Sequence, residues 1–412
     1  MDPIELGRRL RAARDACGVS QQAAAEAIGV PRTAITQMEA GNRSVSTLEL
    51  SKLASLYQRP VISFLSEEAE TAEEDVLVAL HRVAPGLELD QNVRTQVDRC
   101  VNLCRNGIAL ERLLGQEERR GPPAYSVGVP RTIGEAIGVG ECVATQERQR
   151  LGIGNAPIAD VSELIGTQNI WASGMELPNE MSSLFLRHAS IGLAILVNAA
   201  HPRGRKRFSY AHEYAHALMD RDRTVTISST DNSADLVEKR ANAFAASFLM
   251  PRGGVAEVLQ NLDKGQPSRQ EQTIFDAASG GSIEAEYRPP ARSQRINYND
   301  VALIAHHFGV SYQAAVYRMK SLRHTSQQGV EDLLAQEDFG RQYLDALHMF
   351  VDVGEQEQRV YWDRELRSEI THLAIEAYRR EEISRGRLLE LNKTLQIDGQ
   401  LLLDLAEAAR GE

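Results

Sequence analysis

The stretch Arg207-Phe208-Ser209-Tyr210-Ala211-His212-Glu213-Tyr214-Ala215-His216-Ala217-Leu218-Met219 decides how this chain is read. Four residues make about one helical turn, so on a helix His212 and His216 leave from one face and can share a metal ion. Glu213 then lies roughly 100° round the axis, beside the ion's open position, where a carboxylate can take a proton from water. Ser209 is a candidate N-cap, and Phe208, Ala211, Ala215, Leu218 and Met219 supply the apolar positions that bury the helix in a domain. Two buried histidines held only by hydrogen bonds would give the same pentapeptide. A third ligand has to decide.

That ligand is available in Ser233-Ala234-Asp235-Leu236-Val237-Glu238-Lys239-Arg240-Ala241-Asn242-Ala243-Phe244-Ala245-Ala246-Ser247-Phe248-Leu249-Met250-Pro251. Ser233 is the candidate N-cap and Pro251 the stop, with Val237, Ala241, Phe244 and Phe248 as the apolar stripe. Glu238, Asn242, Ala245 and Leu249 form the adjoining stripe, which turns a carboxylate and, one turn later, an amide toward the interior. An inward Glu needs a cation. Zinc with three protein ligands and an open fourth position supplies one; an ion pair with Arg207 or Arg240 is the competing reading. Asn242 can accept a ring N–H from one of the histidines.

With these residues in view, Phe208-Ser209-x-Ala211-His212-Glu213-x-x-His216 followed by Glu238-x-x-Ala241-Asn242-x-Phe244-Ala245-Ala246 and Leu249-Met250-Pro251 resembles the ImmA/IrrE family of bacterial zinc metallopeptidases. The resemblance implies one Zn2+ per chain held by His212, His216 and Glu238, with Glu213 as catalytic base. Ala215 departs from the family, which commonly has Gly before the second His; the ligand positions are intact.

Residues 1–66 read as four or five short helices. Ile4, Leu6, Leu10 and Ala13 mark the first; Ser20 caps a second through Ala27, Gly29 makes the turn, and Pro31 opens a third through Ala40, stopped by Gly41. A fourth runs from Ser46 or Thr47 to Tyr57. The pattern Gly18-Val19-Ser20-Gln21-Gln22-x-x-Ala25-x-x-Ile28-Gly29-Val30-x-x-x-x-Ile35-x-x-Met38-Glu39-x-Gly41 resembles the Cro/repressor-like helix-turn-helix family. In such a motif the second helix enters the major groove of double-stranded DNA. The resemblance therefore implies Arg32, Thr33, Thr36 and Gln37 as base readers, with Gln21 and Arg43 as phosphate contacts. A helix-turn-helix used only for protein contact is the alternative, because the region is only mildly positive and one such domain binds DNA weakly without a dimer partner.

Composition bounds the rest. A chain of 412 residues, 42% hydrophobic, can bury a full core in two to three domains. The net charge of −11 argues against wholesale coating of nucleic acid, so a DNA contact must be local. Four cysteines, at 17, 100, 104 and 142, are not a disulfide framework. Cys100 and Cys104 share helical spacing with Val97, Val101 and Ile108 and read as core. The start Met1-Asp2-Pro3-Ile4-Glu5 lacks a basic signal region, and the apolar run at 191–197 is too short to span a bilayer; a cytoplasmic protein without membrane contact is expected.

The expected fold is mainly α with a small β-sheet. An all-α helix-turn-helix domain (1–66) leads into an acidic hinge and helical connector (67–125), a candidate homodimerisation element. An α+β zincin-like core (126–258) follows, with helices near 133–151 and 158–167, strands at 170–172, 183–186 and 191–197, and a turn at Leu177-Pro178-Asn179. One strand of that sheet should lie beside the site, so that its edge can pair with an extended peptide. Arg203, Arg205, Lys206 and Arg207 read as a solvated loop. A polar insertion (259–296) reads as a surface loop, with a lid as the sharper alternative. A second helix, Gly-Val-Ser, helix pair (297–325) reads as packing scaffold first and as a second nucleic-acid or substrate contact second, with His306 and His307 as surface or core residues rather than ligands. A helical region (326–412), with a further short pair at 383–389, completes the chain.

Two function classes follow. One is a DNA-binding regulator that is also a zinc endopeptidase, cutting a helix-turn-helix repressor or an antitoxin in a stress or phage response. The other is a transcription factor whose zinc fold is a sensor or structural core without turnover. An intact Glu213 favours the first, since a structural site is normally closed by a fourth ligand and has no use for a base.

Overall fold

The computed structural model describes residues 2–16, 19–57, 61–65, 91–178, 181–188, 191–221, 225–229, 235–265, 270–278, 280–287, 290, 293–349 and 364–410. The acidic stretch at 67–75, the connector's first part to residue 90, and Ser233 lie outside the described residues. Contacts divide the chain into two units, Met1–Ala79 and Leu80–Glu412.

In the first unit the turn chemistry cuts the chain into α1 (Pro3–Ala16), α2 (Gln21–Ile28), α3 (Arg32–Glu39), α4 (Thr47–Leu56) and α5 (Val61–Leu65). Ser20 caps α2, its Oγ accepting the N–H of Ala23 at 3.1 Å, which satisfies one of the donors a helix start leaves orphaned. Gly29 closes α2 in the left-handed region (φ 76°), where a Cβ is penalised. Leu10, Ala25, Ile35, Met38, Leu53 and Phe64 meet in one core, whereas Ile4, expected to mark the packed side of α1, is 65% exposed. Arg14 on α1 pairs with Glu39 on α3 at 2.5 Å, and Gln21 donates to the same carboxylate at 2.8 Å, joining three helices through one buried charge.

The second unit runs α6 (Gln91–Leu113), α7 (Ile133–Arg150), α8 (Val161–Gly166), β1 (Trp171–Met175), β2 (Met181–His188), β3 (Gly192–Asn198), α9 (Arg203–Met219), β4 (Val225–Ser229) and α10 (Leu236–Leu249). It continues with α11 (Arg252–Asn261), β5 (Gln270–Asp276), β6 (Gly281–Tyr287), α12 (Tyr298–Phe308), α13 (Tyr312–Ser321), α14 (Gln327–Leu334), α15 (Glu337–Ala346), α16 (Arg364–Arg379), α17 (Arg385–Leu395) and α18 (Gly399–Arg410). The first sheet has the order β1-β3-β2-β4, with β1 parallel to β3 and the other pairs antiparallel.

Side chains alternate across this sheet. Ala172, Phe185, Ile195 and Val197 join Tyr214 of α9 and Phe244 and Phe248 of α10 in the main core. Trp171 is turned the other way, against α6. A Cβ at Gly107 would meet its ring at 2.4 Å, and the Arg119 guanidinium lies 3.4 Å from the ring centroid. Helix α16 packs on both α6 and β1. The connector helix is thus built into this unit, and Val97, Cys100, Leu103 and Cys104 are buried in it.

Several local expectations change. Helix α9 starts at Arg203 behind Pro202, two turns before Ser209, so the basic run is its N-terminal part and not a loop, and Ser209 is a buried interior residue rather than a cap. Arg207 is buried and spends its guanidinium on the carbonyls of Ala159 (2.8 Å), Ile158 (2.5 Å) and Phe308 (3.3 Å). The cap of α10 is Asp235, whose Oδ1 accepts the N–H of Val237 at 3.0 Å. Within the polar 259–296 segment, β5 and β6 form an antiparallel hairpin with Ile274 opposite Ile283, where a loop was expected. Strand β4 had no counterpart in the sequence reading. The pair α12–α13 is scaffold, as expected: Val301, Ile304, Phe308, Ala315, Val316 and Met319 belong to the main core, and His306 and His307 are exposed.

Candidate metal centre and DNA-contact face

Helix α9 lies on β2 and β3, and α10 packs against it, so His212 and His216 on one helix meet Glu238 on the other. Nε2 of His212 stands 3.0 Å from Oε2 of Glu238 and 3.2 Å from Nε2 of His216, which is 3.6 Å from Oε1 of Glu238. All three residues are buried, and one ligand atom from each fits within 4.8 Å of the others. Glu238 pairs with the imidazoles and not with Arg207 or Arg240, which have other partners.

The far side of each ring is also held. Nδ1 of His212 is 2.9 Å from Oδ1 of Asn242, and Nδ1 of His216 is 3.0 Å from Oδ2 of Asp220. An amide oxygen and a carboxylate can only accept, so both Nδ1 atoms carry the hydrogen and both Nε2 lone pairs turn toward Glu238. Three acceptors aimed at one another repel unless a cation sits among them. A proton can fill that role: burial disfavours the charged His216, but its bonds to Asp220 and Glu238 outweigh burial and push it up to about 10. Burial likewise works against an ionised Glu238, yet the two imidazoles hold its carboxyl well below the usual range. Two imidazole nitrogens and a carboxylate are the donor set zinc prefers in sites that keep an open position, so the residues present fit that ion.

Glu213 is fully buried beside this cluster, close enough to His216 to act on its charge. Its Oε1 accepts the hydroxyl of Ser183 at 2.7 Å, which ties it to β2. Strand β2 is therefore the strand beside the site, but it is flanked by β3 and β4 and has no free edge; on that side the edge strand is β4. Sequence reasoning missed Asp220 and Ser183. Asp220 could have been found from its four-residue spacing after His216, while nothing local marks Ser183.

In the first unit Arg32, Thr33, Thr36 and Gln37 lie on the exposed side of α3, opposite the buried Ile35 and Met38. Thr36 bonds to Gln21 Oε1 at 3.2 Å, so Gln21 braces α3 from α2 as well as facing outward in part. Arg43 is half-buried and pairs with Glu49 at 2.8 Å.

Fold and site together define a metallopeptidase-like domain joined to a helix-turn-helix. Residues 167–320 match the IrrE N-terminal-like domain of the peptidase M78 family, and residues 5–61 match a helix-turn-helix domain family. No curated protein matches the chain. Among the described residues no helix is long and apolar enough to cross a membrane.

Proposed function

We propose that this protein is a DNA-binding regulator whose second unit is a zinc-dependent endopeptidase acting on a second protein, a helix-turn-helix repressor or an antitoxin. The observation that carries the reading is the convergence of His212, His216 and Glu238 with a buried, anchored Glu213 alongside. His212, His216 and Glu238 would hold a divalent ion, whose chemistry there would be that of a Lewis acid toward water and a peptide carbonyl. Everything else is the work of side chains. Asn242 keeps the His212 ring from turning, Ser183 fixes one oxygen of Glu213, and Glu213 takes a proton from the attacking water and hands it to the leaving amide nitrogen. An extended substrate segment laid along β4 would bring its backbone to the site by strand addition.

The helix-turn-helix supports double-stranded DNA as the other partner, with Arg32, Thr33, Thr36 and Gln37 toward base edges and Gln21 and Arg43 toward phosphates. Elemental analysis tests the metal half. We expect one zinc per chain in the wild type, its loss in His212→Ala, His216→Ala and Glu238→Ala, and its retention in Glu213→Gln, in which cleavage stops. A wild type that stays metal-free after zinc-replete purification removes the catalytic reading.

A further inference from the structure

Asp220 closes α9 four residues after His216 and so lies over the same helix face. Its two oxygens serve different partners: Oδ2 takes the Nδ1–H of His216 at 3.0 Å, and Oδ1 takes Nη2 of Arg240 at 2.5 Å. Arg240 stands on α10 two residues after Glu238, is 2% exposed, and donates Nη1 to the carbonyl of Gly128 at 3.0 Å. A continuous line therefore runs from the segment before α7, through α10, to a ring nitrogen on α9. A mere clamp between two helices would need only the Arg–Asp pair. Here the carboxylate bridges the guanidinium and the imidazole.

The physical need for each part is plain. An imidazole on a helix can rotate about its last side-chain torsion and exchange tautomers; a carboxylate on Nδ1 fixes both and strengthens the lone pair on Nε2. A carboxylate taken out of water would itself be protonated or drawn to solvent unless a cation pairs with it, and Arg240 is that cation.

We propose that Asp220 and Arg240 are positioning residues of the metal centre. Arg240 holds Asp220, Asp220 holds His216 with Nε2 turned toward His212 and Glu238, and the affinity of the site for Zn2+ depends on this line. The proposal rests on the reading of those three residues as ligands. It adds two residues that the motif does not contain.

The experiment uses the full chain, stripped with a chelator. Zn2+ affinity is measured by competition with a chromophoric chelator, the visible absorption of the Co2+ form reports ligand geometry, and the thermal midpoint of the stripped protein reports folding. Asp220→Asn and Asp220→Ala are expected to bind Zn2+ about 10- to 100-fold more weakly with an altered Co2+ spectrum, and Asp220→Glu to recover part of the loss. Arg240→Gln should weaken binding less, and the double variant Asp220→Asn/Arg240→Gln should be no weaker than Asp220→Asn alone, because Arg240 acts through Asp220. Should Asp220→Ala fail to fold, the near-isosteric Asn variant and the Glu variant decide. Zn2+ binding within twofold of wild type and an unchanged Co2+ spectrum in Asp220→Asn overturn the proposal, and additive losses in the double variant overturn the role of Arg240. A wild type that takes up neither Zn2+ nor Co2+ is a different result, since it defeats the ligand assignment itself.

Discussion

Ser183 shows how a single hydroxyl shapes chemistry from outside the motif. Buried on β2, it uses its one proton on Oε1 of Glu213 at 2.7 Å, a hydrogen bond made away from water, where such bonds are electrostatically stronger. Removing it takes away the hydrogen bond that ties Oε1 of Glu213 to β2. Ser183→Ala should therefore keep its metal and lower turnover per bound metal by roughly tenfold to a hundredfold, as misplaced catalytic groups do. Equal turnover in the variant, measured on any cleaved substrate and normalised to zinc content, would show that Glu213 needs no such anchor. The same residue marks the boundary of what sequence reveals. His212, His216 and Glu238 are legible because helix spacing converts directly into a shared face. Ser183 meets Glu213 only because a strand and a helix pack, and no spacing within either stretch encodes that meeting. Asp220 is an intermediate case: the spacing is there, but an aspartate at a helix end reads equally well as a solvated terminus.

At the scale of elements, the joint between α7 and α9 carries a buried charge that the motif does not advertise. Glu147 on α7 is fully buried, bonds to Arg150 at 2.6 Å and to Tyr125 at 2.9 Å, and accepts a short hydrogen bond from Tyr214, next to Glu213 on α9. Burial pushes its carboxyl up, but the bonds from Arg150, Tyr214 and Tyr125 outweigh burial and hold it below the ordinary value, while Tyr125 is pushed up to about 12 and stays neutral. A depressed carboxylate stabilises the fold fully above its unfolded pKa of about 4.3, and that contribution is lost as pH falls through the folded value. Glu147→Gln should thus cost about 3 kcal/mol at pH 7, with Arg150 and Tyr125 partly exposed and Tyr214 buried, and the gap to wild type should narrow as pH falls below the ordinary carboxylate range. Denaturant midpoints over a series from neutral to acid pH check it; a gap of constant size across the series would mean that shape, not charge, is what Glu147 supplies. On α3, Arg32→Ala should relax base preference at one position of a half-site, whereas Arg43→Ala should weaken all sequences alike and lower the salt slope by about one. Binding titrations over a salt series separate the two, and a sequence-specific loss in the Arg43 variant would reverse the assignment. Which elements were legible follows the same physics. Apolar strands such as β3 and capped helices such as α2 announce themselves, while β5 and β6 are polar enough to pass for loop. Four basic residues among the first five of α9 looked solvated because charge hides the helix start, yet Arg207 finds three carbonyls in the core.

At the scale of the whole molecule the proposed peptidase activity has two conceivable targets, its own chain or another. The segment 67–75 carries six carboxylates in nine residues, and seating it beside Glu213 and Glu238 would bring like charges together in a buried site. One divalent ion offsets only part of that repulsion. A segment with fewer acids avoids the cost, and a repressor bound at the same promoter would meet the peptidase at the elevated effective concentration that tethering provides, up to about millimolar for short flexible links. The net charge of −11 fits this division, since it leaves DNA contact to a local face of the first unit. We therefore expect cleavage in trans. Co-expression with neighbouring repressor-like proteins, comparing wild type with Glu213→Gln, should give a Glu213-dependent fragment of the partner and an intact regulator. If the sole Glu213-dependent product is a cut within this chain near residue 70, repulsion has been overcome at that segment, and an autoproteolytic switch replaces the trans reading.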